Sequence, residues 1–182
     1  MQVKRIFLSL ALVLAADSCL SQTDFWQPTE SPFSGVIYTV ASDSLHGQIF
    51  AGTEDGLYRS LDGGRSWEFT TLPRNAVSSV VVDPSGRLFA GTDNGVFASS
   101  DNGQSWTALG FRDKSIRSLA AASGDTLFAA VGDKIYRSAD GGVQWKIVFS
   151  CQTPDCEIHR LMVTLDGHLF ATTRLEGILR ST

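Results

Sequence analysis

Apolar residues fall in runs of four or five along this chain, and each run stops at a cluster of Gly, Asp, Asn or Ser. The clearest series is Ile49-Phe50-Ala51-Gly52-Thr53, Leu88-Phe89-Ala90-Gly91-Thr92, Leu127-Phe128-Ala129-Ala130-Val131 and Leu169-Phe170-Ala171-Thr172-Thr173. A second series precedes it, with Val36-Ile37-Tyr38-Thr39-Val40, Val77-Ser78-Ser79-Val80-Val81, Ile116-Arg117-Ser118-Leu119 and Ile158-His159-Arg160-Leu161. The runs are short and β-branched, and beyond the first 21 residues none shows helical periodicity over two turns. The turns between them, Glu54-Asp55-Gly56, Asp93-Asn94-Gly95 and Asp83-Pro84-Ser85-Gly86, supply the residues that hairpins require. One unit therefore reads as strand, turn, strand, turn, strand, tight turn, strand.

An eight-residue phrase, Ser-x-Asp-x-Gly-x-x-Trp, closes each unit. It occurs as Ser60 to Trp67, Ser99 to Trp106 and Ser138 to Trp145, so each copy starts 39 residues after the one before. A fixed period of this size means one supersecondary unit repeated. Four short antiparallel strands in about 40 residues form the blade of a β-propeller. The predicted class is all-β, a partial β-propeller with about four blades present: 36–74, 75–113, 114–156 and an incomplete blade 157–182.

The phrase resembles the Asp-box, or BNR repeat, of sialidase-like propellers. The resemblance implies that the phrase bridges the third and fourth strands at the blade periphery, away from an active face. It gives architectural roles to Ser60, Asp62, Gly64, Trp67, Ser99, Asp101, Gly103, Trp106, Ser138, Asp140, Gly142 and Trp145. The aspartates accept hydrogen bonds from turn amides, and the indoles bury apolar area between blades while pairing their N–H groups. The boxes lack the bidentate Glu of a known calcium loop, and no metal site or cofactor is expected.

The two ends modify this picture. Residues 1–21 read as a secretory signal, with Lys4 and Arg5 before the apolar stretch Ile6 to Ala16, which is too short to span a bilayer. Cys19 offers a lipoprotein alternative, although Asp17 fits a lipobox poorly. Residues 22–35 read as an orphan outer strand, because Trp26 stands 14 residues before Val40, as Trp67 stands 13 before Val80. The segment Leu179-Arg180-Ser181-Thr182 aligns with the opening of a fourth box. The expectation is a C-terminally truncated propeller, secreted or periplasmic, with further domains of the same chain downstream. A four-bladed ring closed by the Trp26 strand is the other arrangement, since it would remove the open edges.

The composition is that of a globular protein, with 43% hydrophobic and 19% charged residues. Without residues 1–21 the chain keeps 13 basic and 18 acidic residues, and no basic patch favours nucleic acid. No second apolar run predicts a membrane span. Cys151 and Cys156 lie in an insertion between the third and fourth blades, where an oxidising compartment favours a disulfide-closed loop. A zinc site there would need ligands beyond His159.

Function is read from what breaks the repeat. On the innermost strand, equivalent positions carry Tyr38, Ser78, Arg117 and His159, and the next positions carry Thr39, Ser79, Ser118 and Arg160. Tyr38, Arg117, His159 and Arg160 are the candidate ligand-binding residues lining the channel, with solvated channel residues as the plainer alternative. A sialidase would need three arginines, a Tyr nucleophile with its Glu, and an acid Asp, together with an Arg-Ile-Pro motif that is absent. No catalytic residue is assigned. The repeat is also similar to propellers of periplasmic sensor regions in two-component regulators and of photosystem II assembly factors. The expected role is a binding, scaffold or sensor module for a protein or carbohydrate. The alternative is part of a sialidase-like or other glycoside hydrolase whose carboxylates lie in other blades.

Overall fold

The structure, a computed structural model, describes Thr29 and residues 35–181. The signal segment 1–21 and nearly all of the orphan segment, including Cys19 and Trp26, lie outside the described residues. Fifteen strands and no helices make up the described chain, and no helix there is long and apolar enough to cross a membrane.

The strands fall into four consecutive antiparallel sheets. The first holds β1 (Ile37–Asp43), β2 (Gln48–Thr53), β3 (Leu57–Ser60) and β4 (Glu68–Phe69), in that order. The second holds β5 (Val77–Val82), β6 (Leu88–Thr92), β7 (Gly95–Ser99) and β8 (Thr107–Gly110), and the third holds β9 (Ser118–Ala121), β10 (Leu127–Val131), β11 (Lys134–Ser138) and β12 (Lys146–Ser150). The fourth has three strands, β13 (Ile158–Val163), β14 (Leu169–Thr173) and β15 (Ile178–Arg180). Every sheet is a simple meander, as expected for a blade.

Burial explains the sequence pattern. Strand β6 is buried along its whole length, because neighbouring blades cover both its faces, and a doubly covered strand reads as a continuous apolar run. The outer strands β8 and β12 are largely exposed and more mixed in sequence. The core consists of three seams between consecutive blades. Phe50, Leu57, Val77, Val80 and Leu88 form the first, Phe89, Val96, Ile116, Leu119 and Leu127 the second, and Ala130, Ile135, Ile158, Leu161 and Leu169 the third.

Two glycines mark how tightly the blades approach. A Cβ on Gly52 would lie 2.6 Å from the Val77 carbonyl oxygen, and one on Gly91 would lie 2.7 Å from Ile116 Cγ2. The equivalent positions in the third and fourth blades carry Ala130 and Thr172, which pair with the inner strand in the same place.

Candidate ligand-binding face

Because the strands alternate in direction, each blade has two rims. The links between blades and the turns between second and third strands share the upper rim. The Ser-x-Asp-x-Gly-x-x-Trp turns share the lower rim with the turns between first and second strands.

On the lower rim the three boxes have nearly the same hydrogen bonds. Ser60 Oγ donates to Asp62 Oδ1 at 2.9 Å and accepts from the Gly64 N–H at 2.8 Å. Ser99 and Ser138 do the same with Asp101 and Gly103 and with Asp140 and Gly142. The backbone N–H and hydroxyl of Ser66 hold Asp62 at about 2, and the hydroxyl and N–H of Ser105 hold Asp101 at about 2. Asp140 is also lowered, chiefly by the Gln144 N–H. The indoles differ more. Trp67 and Trp106 donate to the carbonyls of Gly64 and Gly103 in their own turns, whereas Trp145 donates to Leu109 in the preceding blade at 3.1 Å. Trp145 also meets Phe111 edge to face, with ring centroids 5.1 Å apart.

Charged groups reinforce the same rim. Asp43 is buried and accepts from His46 Nδ1 at 2.5 Å and from the Leu45 N–H at 2.9 Å. Burial pushes Asp43 upward, but these bonds outweigh it and hold the carboxyl below its usual range. Asp83 is held down in the same way against its burial, by Ser85 and Arg87, and Arg87 bridges onward to Asp125 of the next blade.

The upper rim carries the variation. In the first, second and fourth blades the inner strand shifts register at one residue. Ile37 pairs with Thr53 and Thr39 with Gly52, leaving Tyr38 extra, and Ser78 and His159 are extra in the same way. In the third blade the Arg117 N–H donates to the Ala130 carbonyl while Ser118 pairs with Ala130. Tyr38, Ser78 and His159 therefore stand on a β-bulge at one repeated position, and Arg117 occupies the equivalent position just before β9. A bulge re-aims its side chain without disturbing the rest of the ladder.

These residues have unequal surroundings. Tyr38, Arg117, His159 and Arg160 are exposed, and Arg117 Nη2 lies 3.5 Å from Glu157 Oε2. Ser78 instead turns toward the carbonyl of Ile116 in the next blade. Ser79 and Ser118, read from sequence as possible channel residues, are buried. Each accepts an N–H from the next inner strand, Leu119 for Ser79 and Leu161 for Ser118, both at 3.0 Å. The repeat of a small hydroxyl residue two positions after the conserved apolar one was the available signal for these staples.

The insertion between the third and fourth blades stands above this rim. Cys151 and Cys156 form a disulfide with their Cα atoms 6.0 Å apart. Glu176 accepts from the N–H groups of Thr153 and Gln152 at 2.8 and 2.7 Å and from the Thr153 hydroxyl, and the Thr153 and Gln152 amides hold it below its usual range. The two sulfurs approach Glu176, but as a disulfide they are not available as thiolate ligands.

Residues 68–156 match the DUF6242 beta propeller domain. The chain has a β-propeller fold. Among solved structures it is similar to the extracellular domain of the putative one component system BT4673 from B. thetaiotaomicron, with a TM-score of 0.70 and 20% identity over 84% of this chain and 22% of that one. It is also similar to YCF48 from Cyanidioschyzon merolae, with a TM-score of 0.69 and 16% identity over 86% of this chain and 56% of that one. An ancestral GH74 enzyme gives a TM-score of 0.66 and 21% identity over 81% of this chain and 23% of that one. The chain thus spans between about a quarter and a little over half of these neighbours, and likeness at such identities concerns the fold. No curated protein matches the chain.

Proposed function

We propose that this protein is a secreted or periplasmic β-propeller segment that binds a protein or carbohydrate ligand on its upper inner rim, through Tyr38, Arg117, His159 and Arg160. The carrying observation is the register shift at one position in the first, second and fourth inner strands, with Arg117 at the equivalent position of the third blade. The surrounding ladder repeats closely, while the residues at this position are Tyr, Ser, Arg and His. A position that the repeat does not specify chemically is where selectivity can differ between blades. An aromatic ring, two guanidiniums and an imidazole suit carboxylate, hydroxyl or peptide carbonyl groups.

The extracellular domain among the neighbours and the signal-like residues 1–21 support export. The boxes on the lower rim serve as blade architecture in this reading.

The test is a screen of peptides and oligosaccharides by isothermal titration against the native chain and the variant R117A/H159A. A ligand that binds the native chain and loses about tenfold or more in affinity with the variant supports the rim. A ligand bound equally well by both places recognition elsewhere.

A further inference from the structure

A further departure from the repeat lies directly ahead of the inner strands. The residue before the conserved apolar one is Val36, Ala76, Ser115 and Glu157 in blade order. The fold uses this position through its backbone. The carbonyls of Val36, Ala76 and Glu157 accept the N–H groups of Glu54, Asp93 and Arg174, from the turns between second and third strands, at 3.0, 3.1 and 2.9 Å. A valine, an alanine and a glutamate all serve that bond, so the blade does not dictate the Glu157 carboxylate.

This carboxylate meets Arg117, which itself breaks the repeat. The contact is a single one, Nη2 to Oε2 at 3.5 Å. Other ion pairs in the blades are built more tightly. Arg59 holds Glu68 through Nε and Nη2 at 2.9 and 2.5 Å, and Arg87 holds Asp83 at 2.8 Å while also reaching Asp125. The side chains of Arg59 and Arg87 are 17% and 33% exposed, against 54% for Arg117 and 42% for Glu157. An exposed, monodentate pair contributes little to folding. It also leaves most of the five guanidinium donors of Arg117 open.

The surroundings of Arg117 narrow the ligand chemistry. The link ahead of β9 adds Arg112 and Lys114, both exposed, and Arg112 reaches the neighbouring Asp113 only at 4.0 Å. The aromatic ring of that link, Phe111, turns into the second seam, where it meets Tyr136 and Trp145 edge to face. This part of the rim therefore offers cations in place of an open ring. Such a surface suits the carboxylates of an acidic peptide better than the apolar face of a sugar.

We infer that, on the reading of the upper rim as a binding face, Glu157 is a displaceable counter-ion. In the free protein it occupies the Arg117 guanidinium. An Asp or Glu side chain of an acidic peptide replaces it on binding, and Arg117 exchanges a monodentate contact for a bidentate one. Glu157 sets affinity by competition, because the peptide can use Arg117 only in the fraction of molecules in which Glu157 has moved away.

Fluorescence anisotropy at low salt, with a labelled octapeptide of alternating glutamate and alanine, tests this on the native chain and on R117Q, E157Q and E54Q. Circular dichroism melts confirm that the variants keep the native fold. Relative to the native chain, binding should be about tenfold or more weaker with R117Q and about tenfold tighter with E157Q. E54Q removes another exposed carboxylate of the same rim and should leave affinity within about twofold, which separates competition at Arg117 from general charge. Equal gains from E157Q and E54Q overturn the inference, as does E157Q binding no better than the native chain. A native chain that does not bind the peptide up to about 1 mM overturns it too. Tighter binding of polygalacturonate than of the peptide overturns the choice of a peptide. A neutral ligand that loses affinity with R117A/H159A but is indifferent to E157Q overturns the counter-ion and leaves the rim as the binding face.

Discussion

The junction between the second and third blades and the junction between the third and fourth are built from the same repeat, yet only the first is complete. In the former, Trp145 fills the space against Leu109, Gly110 and Phe111 and caps the Leu109 carbonyl. In the latter, Val148 and Phe149 face a cleft instead. The inner strands pack comparably in both, since Ile116 and Ile158 are equally buried. Inner-strand packing is therefore shared by both junctions, whereas among the described residues the indole contact belongs only to the first. Inner contacts set position, and the indole removes the remaining void.

The largest test of this comparison is W145A. Truncating the indole should leave a cavity like the existing cleft and cost about 3–5 kcal/mol in urea denaturation. W67A, which has no preceding blade beside it among the described residues, should cost about 1 kcal/mol. Equal losses from the two would mean that the tryptophans act within their own turns and not across seams.

Next in size is the glycine in the seam. G91A should destabilise by about 2–3 kcal/mol, because its Cβ would meet Ile116 Cγ2 at 2.7 Å in a close-packed interior. T172G in the fourth blade should change stability by no more than about 1 kcal/mol, since Thr172 is exposed. A similar response at both positions would show that the backbone, and not the neighbouring blade, selects glycine.

The disulfide loop belongs to the incomplete junction. Its sequence separation is 5 residues, so the C151S/C156S variant should lose about 2 kcal/mol by loop-entropy reasoning. A loss near that of W145A would mean that the loop holds the third seam together.

The smallest effect is the response to acid. Asp62 and Asp101 titrate near 2 in the folded chain against a model-peptide value of 3.8. Their hydrogen bonds contribute fully above pH 4, and the contribution fades as pH falls from about 4 toward 2, because protonation then favours the unfolded chain. D62N/D101N should flatten stability over that window in guanidinium titrations. An unchanged slope would assign the acid response to other carboxylates held low, among them the buried Asp43 and Asp83.

The blades were legible because the period carries them. Leu88 to Thr92 reads as a buried strand, and Ser99 to Trp106 reads as a turn, from their residues alone. The bulge was not legible, since the extra residue at Tyr38 or His159 exists only relative to a partner strand. Ser79 and Ser118 pointed the wrong way for a related reason: a polar residue beside a channel looks solvated until the neighbouring N–H of Leu119 or Leu161 is placed. The cleft is a property of two blades together, and no single repeat contains it. Tyr38, Arg117 and His159 were picked out as residues the repeat did not explain, and they share one inner-strand position, whereas Arg160 stands one residue on, in the register of Ser79 and Ser118.

The hydroxyls of Ser79 and Ser118 each hold the amide of the following inner strand. Such links run sideways, at right angles to the strands, and turn separate sheets into a belt along the inner rim. Tension applied at the two ends of the described chain would load these links in series. Loss of one would expose the flank of its neighbour, so unfolding should advance blade by blade from a broken link rather than begin everywhere at once.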